Sequence, residues 1–431
     1  MTWYVRFGVL VWFVFLVNCA GRADQRDADP CAIALASHAG ESDEDLNIIR
    51  LQGKVSGSAR PVPYLEKLGW AFVAKARASY DPGFYKMAEQ CALCMQTEKP
   101  GSSEALLLRG HVLHNLHRFE EAEALARKLV AARGLSFDYG LLGDVLLERG
   151  ELEEAVDAYQ EMMDQKPSPQ AYCRSAHVRW LKGDLPGAME LMRMAAGASG
   201  SVDPESAAWA HARLALFEFQ AGSPAKAASL ADGALVLRPD YAPALLVQGR
   251  ILLAEGDHAE AVRSLREAAR LNPLPEYQWV LLDALAAAGH REEGAVVEAR
   301  LMERGALDDP RTFALYLATT GKDAGRALAL AEKELEVRAD IFTLDALAWA
   351  LHASGRQDEA RKLSVRALAE GTEDARLFLH GGVIAAAAGD TEEAERLLEQ
   401  AMAIQQMLLP SEQRRLRAEV EMLVGNERRQ T

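Results

Sequence analysis

Residues 242–273 read APALLVQGRILLAEGDHAEAVRSLREAARLNP, and this stretch decides the fold. Leu245, Leu246, Gly249, Leu252 and Leu253 recur at helical spacing in its first half, and Ala261, Leu265 and Ala268 do so in its second. That periodicity predicts two helices, each with one face to bury. Gly256 between them suits the left-handed residue that closes a helix C-terminus, and Asp257 suits the N-cap of the next helix. The small residues Gly249 and Ala261 predict a close approach of the two helices, and Pro273 ends the unit.

The same beat, a glycine followed five positions later by alanine, recurs at Gly150/Ala155, Gly183/Ala188, Gly222/Ala227, Gly256/Ala261, Gly355/Ala360 and Gly389/Ala394. Gly289 and Gly321 continue the series, so the step from one turn glycine to the next is nearly constant, with one longer step between Gly183 and Gly222. A period of roughly 34 residues is the mark of stacked helical hairpins. Extended backwards through His117/Ala122, where histidine takes the glycine place, and Gly83/Ala88, the register predicts about ten copies. Two copies fit poorly: Gly294 stands where alanine is expected, and the step from Gly321 to Ala327 is one residue too long.

With Leu-Gly or its equivalent, then alanine, an aromatic residue, alanine and proline, the unit resembles the tetratricopeptide repeat. Gly143, Ala155, Tyr159 and Pro167 of an earlier copy match as well as the quoted one does. The resemblance implies an all-α fold: a right-handed superhelical solenoid of about ten antiparallel hairpins over residues 63–409. It also implies that the first helix of each hairpin lines a concave, partner-binding face. On that register the groove-facing side chains are Arg77, Tyr80, His111, His114, Asn115, Asp144, Glu148, His177, Trp180, Phe219, Arg250, Trp349 and His352. Trp180 and Phe219 are read either as apolar anchors for a bound peptide or as packing between repeats. Residues 410–431, opening Pro410-Ser411-Glu412, are expected to form a capping helix with Arg414, Arg415, Arg417, Glu419 and Glu421 on its polar face.

The opening segment, 1–23, differs in kind. Arg6 precedes an apolar run over residues 7–17, which reads as a secretory signal or a membrane anchor. Gly21-Arg22-Ala23 offers small residues for signal peptidase, whereas Leu16-Val17-Asn18-Cys19 resembles a lipoprotein box with Asn18 out of pattern, and would lipidate Cys19. Each route implies export to a bacterial periplasm or envelope. Residues 24–62, rich in Asp, Arg, Ser, Gly and Pro, are expected to be a disordered linker. The longer step between Gly183 and Gly222 places an insertion at residues 197–206 that could act as a hinge.

The net charge of -15 becomes -17 when Arg6 and Arg22, the two charged residues of segment 1–23, are removed, which argues against nucleic acid as a partner. Glu120-Glu121, Glu153-Glu154, Asp358-Glu359 and Glu392-Glu393 fall in the first turn of a second helix, where they complement its dipole. No phosphate loop, nucleophile elbow or H-E-x-x-H motif occurs, so neither an enzyme nor a cofactor is expected. Cys91 and Cys94 form a C-x-x-C pair inside a helix and are read as packing residues. His111, His114 and His117, one turn apart, supply the alternative function: a metal-binding envelope protein. The leading expectation is a non-catalytic scaffold for a protein or peptide, with membrane attachment through the N-terminus left open.

Overall fold

A computed structural model describes residues 29–199 and 203–430, with the side chains of 426–430 left aside. The described residues form helices without a strand. Two helices precede the repeats, α1 (Pro30–Ala34) and α2 (Asp43–Ser56). The first successive pairs are α3 (Val62–Ser79) with α4 (Gly83–Glu98), α5 (Ser103–Asn115) with α6 (Phe119–Ala132), and α7 (Ser136–Glu148) with α8 (Leu152–Gln165). Next come α9 (Pro169–Leu181) with α10 (Leu185–Ser199), α11 (Pro204–Gln220) with α12 (Pro224–Leu237), and α13 (Ala242–Glu255) with α14 (His258–Leu271). The series closes with α15 (Pro275–Ala288) and α16 (Arg291–Asp308), α17 (Pro310–Thr320) and α18 (Ala324–Val337), α19 (Ile341–Ala353) and α20 (Gln357–Leu368), and α21 (Ala375–Ala387) and α22 (Thr391–Ala403). A short 3-10 turn leads into α23 (Pro410–Gln430).

Local chemistry makes each pair. Gly256 caps α13 with φ 82°, and the Asp257 side chain accepts the Glu260 amide at 3.2 Å to start α14. A Cβ on Gly249 would come within 2.4 Å of Leu265, so glycine is what lets α13 and α14 touch. The residue in the glycine place takes the left-handed conformation in pair after pair, and His117 adopts it too, with φ 57°. In the first pair the left-handed residue is Tyr80, not Gly83, which lies inside α4. Asp81 and Pro82 widen that turn. The two poorly fitting copies differ in helix length: α16 runs for 18 residues and α17 for only 11.

The expected disordered linker is instead structured where the chain is described. Ser42 and Asp45 form a capping box at the start of α2, whose Ile48, Leu51 and Val55 are buried against the first pair. Cys31 on α1 is disulfide-bonded to Cys94 on α4, which corrects the reading of Cys94 as a packing residue. Cys91 is the free, buried member of the C-x-x-C pair. The insertion is mostly taken up as helix: α10 continues to Ser199, and α11, at 17 residues, begins at Pro204. The expected signal or anchor at 1–23, with Cys19, lies outside the described residues. No helix among the described residues is long and apolar enough to cross a membrane.

At the other end, Leu408, Leu409 and Leu416 bury against the last pairs, so α23 covers the apolar end of the stack. Its Arg415 is not simply part of a solvated face, because the guanidinium sits 4.4 Å from the Trp349 ring.

The inner face and its cavity

The stack curls back on itself, and the inner ends of early pairs meet the loops between late ones. At α7, the Glu148 carbonyl accepts the Ala339 amide at 3.0 Å, and its carboxylate pairs with Arg338 at 3.3 Å. At α9, the Leu181 carbonyl accepts the Thr372 hydroxyl, and Lys182 pairs with Glu370 at 2.6 Å. At α11, Gln220 donates to the Glu373 carbonyl at 2.6 Å, while Gln406 donates to the Phe219 and Gln220 carbonyls. Arg250 of α13 donates to the Met407 carbonyl, and Asp283 of α15 accepts both the amide and the hydroxyl of Ser411 at 2.8 Å. Several of these acceptors are carbonyls in the last turn of a helix, which lack intrahelical donors. Late loops therefore cap early helices.

This closure decides where the expected groove residues lie. Trp180 is 8 % exposed, donates its indole N–H to Gln220 at 2.9 Å, and stacks on Phe342 at 6.1 Å and on His177 at 5.8 Å. Phe219 is buried in the packing between α11 and its neighbours. Trp349 is buried as well, stacked on His380 at 4.0 Å and on His352 at 5.1 Å, and His352 bonds Gln357 at 2.9 Å. Asp144 is held by Arg174 and by the Tyr159 hydroxyl. Tyr80 packs against the core around α13, and burial pushes its phenol up to about 12. Glu148, His177, Trp180 and Arg250 come together around one interior space; Arg77, His111, His114 and Asn115 lie apart, on the first two pairs.

The histidine trio does not converge. His111 tilts against Trp70 at 5.2 Å with Arg77 at 3.5 Å, while His114 meets the Phe119 ring edge-on and His117 stacks on it. Burial, with the charges of Arg77 and His114, pushes His111 down to about 3. Among the described residues no group of three His, Cys, Asp or Glu is placed to hold a metal. The i, i+3, i+6 spacing reaches past the end of α5, so the third ring belongs to the turn rather than to the helix face. The three rings are therefore not gathered on one helix face.

The interior space is a cavity of about 670 Å³ that opens to solvent, with the exposed Glu276 and Arg366 in its wall. Its lining adds residues that the register did not single out: Arg213, Phe217 and Gln220 of α11, Trp279 of α15, Arg311 of α17 and Arg376 of α21. Arg213 sits three residues before Leu216, which also lines the cavity, so the two share one face of α11. An arginine in the run AAWAHARLALFEF was the available signal.

Tetratricopeptide-repeat models match residues 140–204 and 246–309, 343–363, and 378–413. The chain is a tetratricopeptide-repeat protein. No curated protein matches it. Its repeats are similar to those of solved structures with low identity. PilF of Pseudomonas aeruginosa is 15% identical with a TM-score of 0.40, over 50% of this chain and 96% of that one. Yeast Tom70 is 15% identical with a TM-score of 0.36, over 90% and 97%. Human IFIT1, in a structure with m7Gppp-AAAA, is 12% identical with a TM-score of 0.47, over 87% and 94%. Shared ligands do not follow from identities this low. Tetratricopeptide repeats build protein-interaction scaffolds, and that much holds here.

Proposed function

We propose that this chain is an exported, non-catalytic scaffold that holds a segment of a partner protein along the inner edge of its first two pairs. The observation that supports the reading is a contrast within the inner face. From α7 to α15 that face bonds the chain's own late loops. Arg77, His111, His114 and Asn115 make no hydrogen bond with those loops among the described residues, and Arg77 stays 44% exposed. Charges on the second helices are meanwhile engaged with one another, as in Arg266–Glu293 and Arg361–Asp390.

A photo-crosslinking amino acid in place of His114 should capture a protein in cells, and the same group in place of Lys226 on the outer helix α12 should capture none. Equal capture at both positions, or none at either, sinks the reading.

Export is supported by the charged and apolar opening of the sequence and by the Cys31–Cys94 disulfide, which needs an oxidising compartment. Mass spectrometry of protein from alkylated cells tests it. The expected result is a mature N-terminus after Ala23 or a lipid on Cys19, with Cys31 and Cys94 unalkylated. An intact Met1 with both thiols alkylated overturns it.

A further inference from the structure

Arginines inside this molecule are paired with carboxylates as a rule. Arg174 reaches Asp144 at 2.6 Å, Arg311 reaches Asp340 at 2.7 Å, Arg338 reaches Glu334 at 2.6 Å, and Arg376 reaches Glu412 at 2.7 Å. Among the described residues two inner arginines break the rule, and both face the 670 Å³ cavity. Arg250 donates only to the Met407 carbonyl. Arg213 lies 5.1 Å from the Trp180 ring and 4.9 Å from the Phe217 ring, and its one polar neighbour is His177 at 3.4 Å. Burial and the Arg213 charge push His177 down to about 3, so that neighbour stays neutral beside the guanidinium at neutral pH.

A guanidinium held among protein groups without a carboxylate is costly, because the surroundings solvate it less well than water does. Burial accordingly pulls Arg213 down to about 10, which still leaves it charged at neutral pH. Two carboxylates act on it from a distance. Asp374 is committed to the backbone amides of Arg376 and Leu377 at the start of α21, and Glu276 is exposed at the cavity wall. The exposed Glu276 and Arg366 of the wall offset one another, and no ion pair joins Glu276 to Arg213 or Arg250. The groups around Arg213 are aromatic, with Trp180 and Phe217 beneath its guanidinium, and Trp279 lies under Arg376 at 4.7 Å. The volume falls within the range of small-molecule sites, which combine apolar walls with a few polar groups.

We infer that the cavity binds a small carboxylate with an apolar body, its carboxylate between Arg213 and Arg250. Arginine forks suit a carboxylate in two-point contact. The site needs no protein partner, so it stands or falls separately from the scaffold reading.

The test uses the full chain, with benzoate, phenylacetate and indole-3-acetate as probes, read by calorimetry and by quenching of tryptophan fluorescence. At least one should bind saturably, with phenylacetamide or the matching amide at least tenfold weaker. Arg213→Gln and Arg250→Gln should each weaken binding at least tenfold while keeping the helical circular dichroism, and Arg213→Lys should recover part of the loss. Because Arg213→Gln removes an unpaired charge, its melting temperature without ligand should not fall, which separates a lost ligand from a lost fold. No binding by any of the three acids, amides that bind as well as acids, or unchanged affinity in both variants overturns the proposal. Binding of inorganic phosphate in preference to the acids would keep an anion site but overturn the carboxylate.

Discussion

Thr372 donates its hydroxyl to the carbonyl oxygen of Leu181 at 2.5 Å, across 191 residues of chain, and both residues are buried. Leu181 ends α9, so its carbonyl has no donor within the helix. Thr372→Val keeps the shape and removes the donor. An unsatisfied buried carbonyl costs about 1–3 kcal/mol, so the urea midpoint should fall accordingly, and Thr372→Ser should keep most of the stability. Equal stability for Val and the parent would show that the two halves are not joined here in solution.

The turn glycines sort by what stands opposite them. A Cβ on Gly150 would come within 2.4 Å of the Ala339 carbonyl oxygen, and one on Gly183 within 2.6 Å of the Gly371 carbonyl oxygen. Gly222 has the same left-handed backbone, φ 74°, but open space around it. Gly222→Ala should therefore cost only the left-handed strain of about 1–2 kcal/mol. Gly150→Ala and Gly183→Ala should cost clearly more, since the atoms they strike are backbone. Chemical denaturation of the three variants checks this, and three equal losses would count against the closure.

The repeat itself was legible, because each hairpin writes its own periodicity, cap and turn within a single short stretch of chain. What could not be read was the contact between repeats far apart in sequence. A one-dimensional stack predicts neighbours only. Nothing in the spacing of Gly183 indicates that Gly371 will lie against it. For the same reason Trp180 and Phe219 could be placed on a helix face while their covers, Phe342 and Gln406, stayed hidden. The helix α2 was missed for a different reason: Ile48, Leu51 and Val55 make one short apolar stripe among polar residues, too short to stand out by its period alone.

Asp45 gives that N-terminal segment an acid sensitivity. Burial alone would raise its carboxyl, but hydrogen bonds from Lys75, His38 and Ser42 outweigh burial and hold it well below the ordinary range. A depressed carboxyl stabilises the fold fully above the unfolded value of about 3.9 and loses that contribution as pH falls toward the folded one. Hydrogen exchange of the amides of α2 should therefore quicken, relative to the rest of the chain, between about pH 4 and pH 2. Asp45→Asn should exchange faster at neutral pH and show little of the added acid response.

His117 offers a test of the turn that needs no partner. It holds the left-handed place with φ 57° on an exposed turn, where the other pairs largely use glycine, and its ring lies 5.5 Å from that of Phe119. Histidine tolerates this backbone better than a β-branched residue does. His117→Val should cost about 1–2 kcal/mol through backbone strain. His117→Gly relieves that strain, loses the ring contact and loosens the unfolded chain, so its net effect should lie within about 1 kcal/mol of zero. Thermal melts with and without added zinc separate the two roles considered for this residue. A turn residue gives the same ranking of variants in both conditions, whereas a zinc ligand would give a parent whose melting temperature rises with the metal and a His117→Gly variant whose does not.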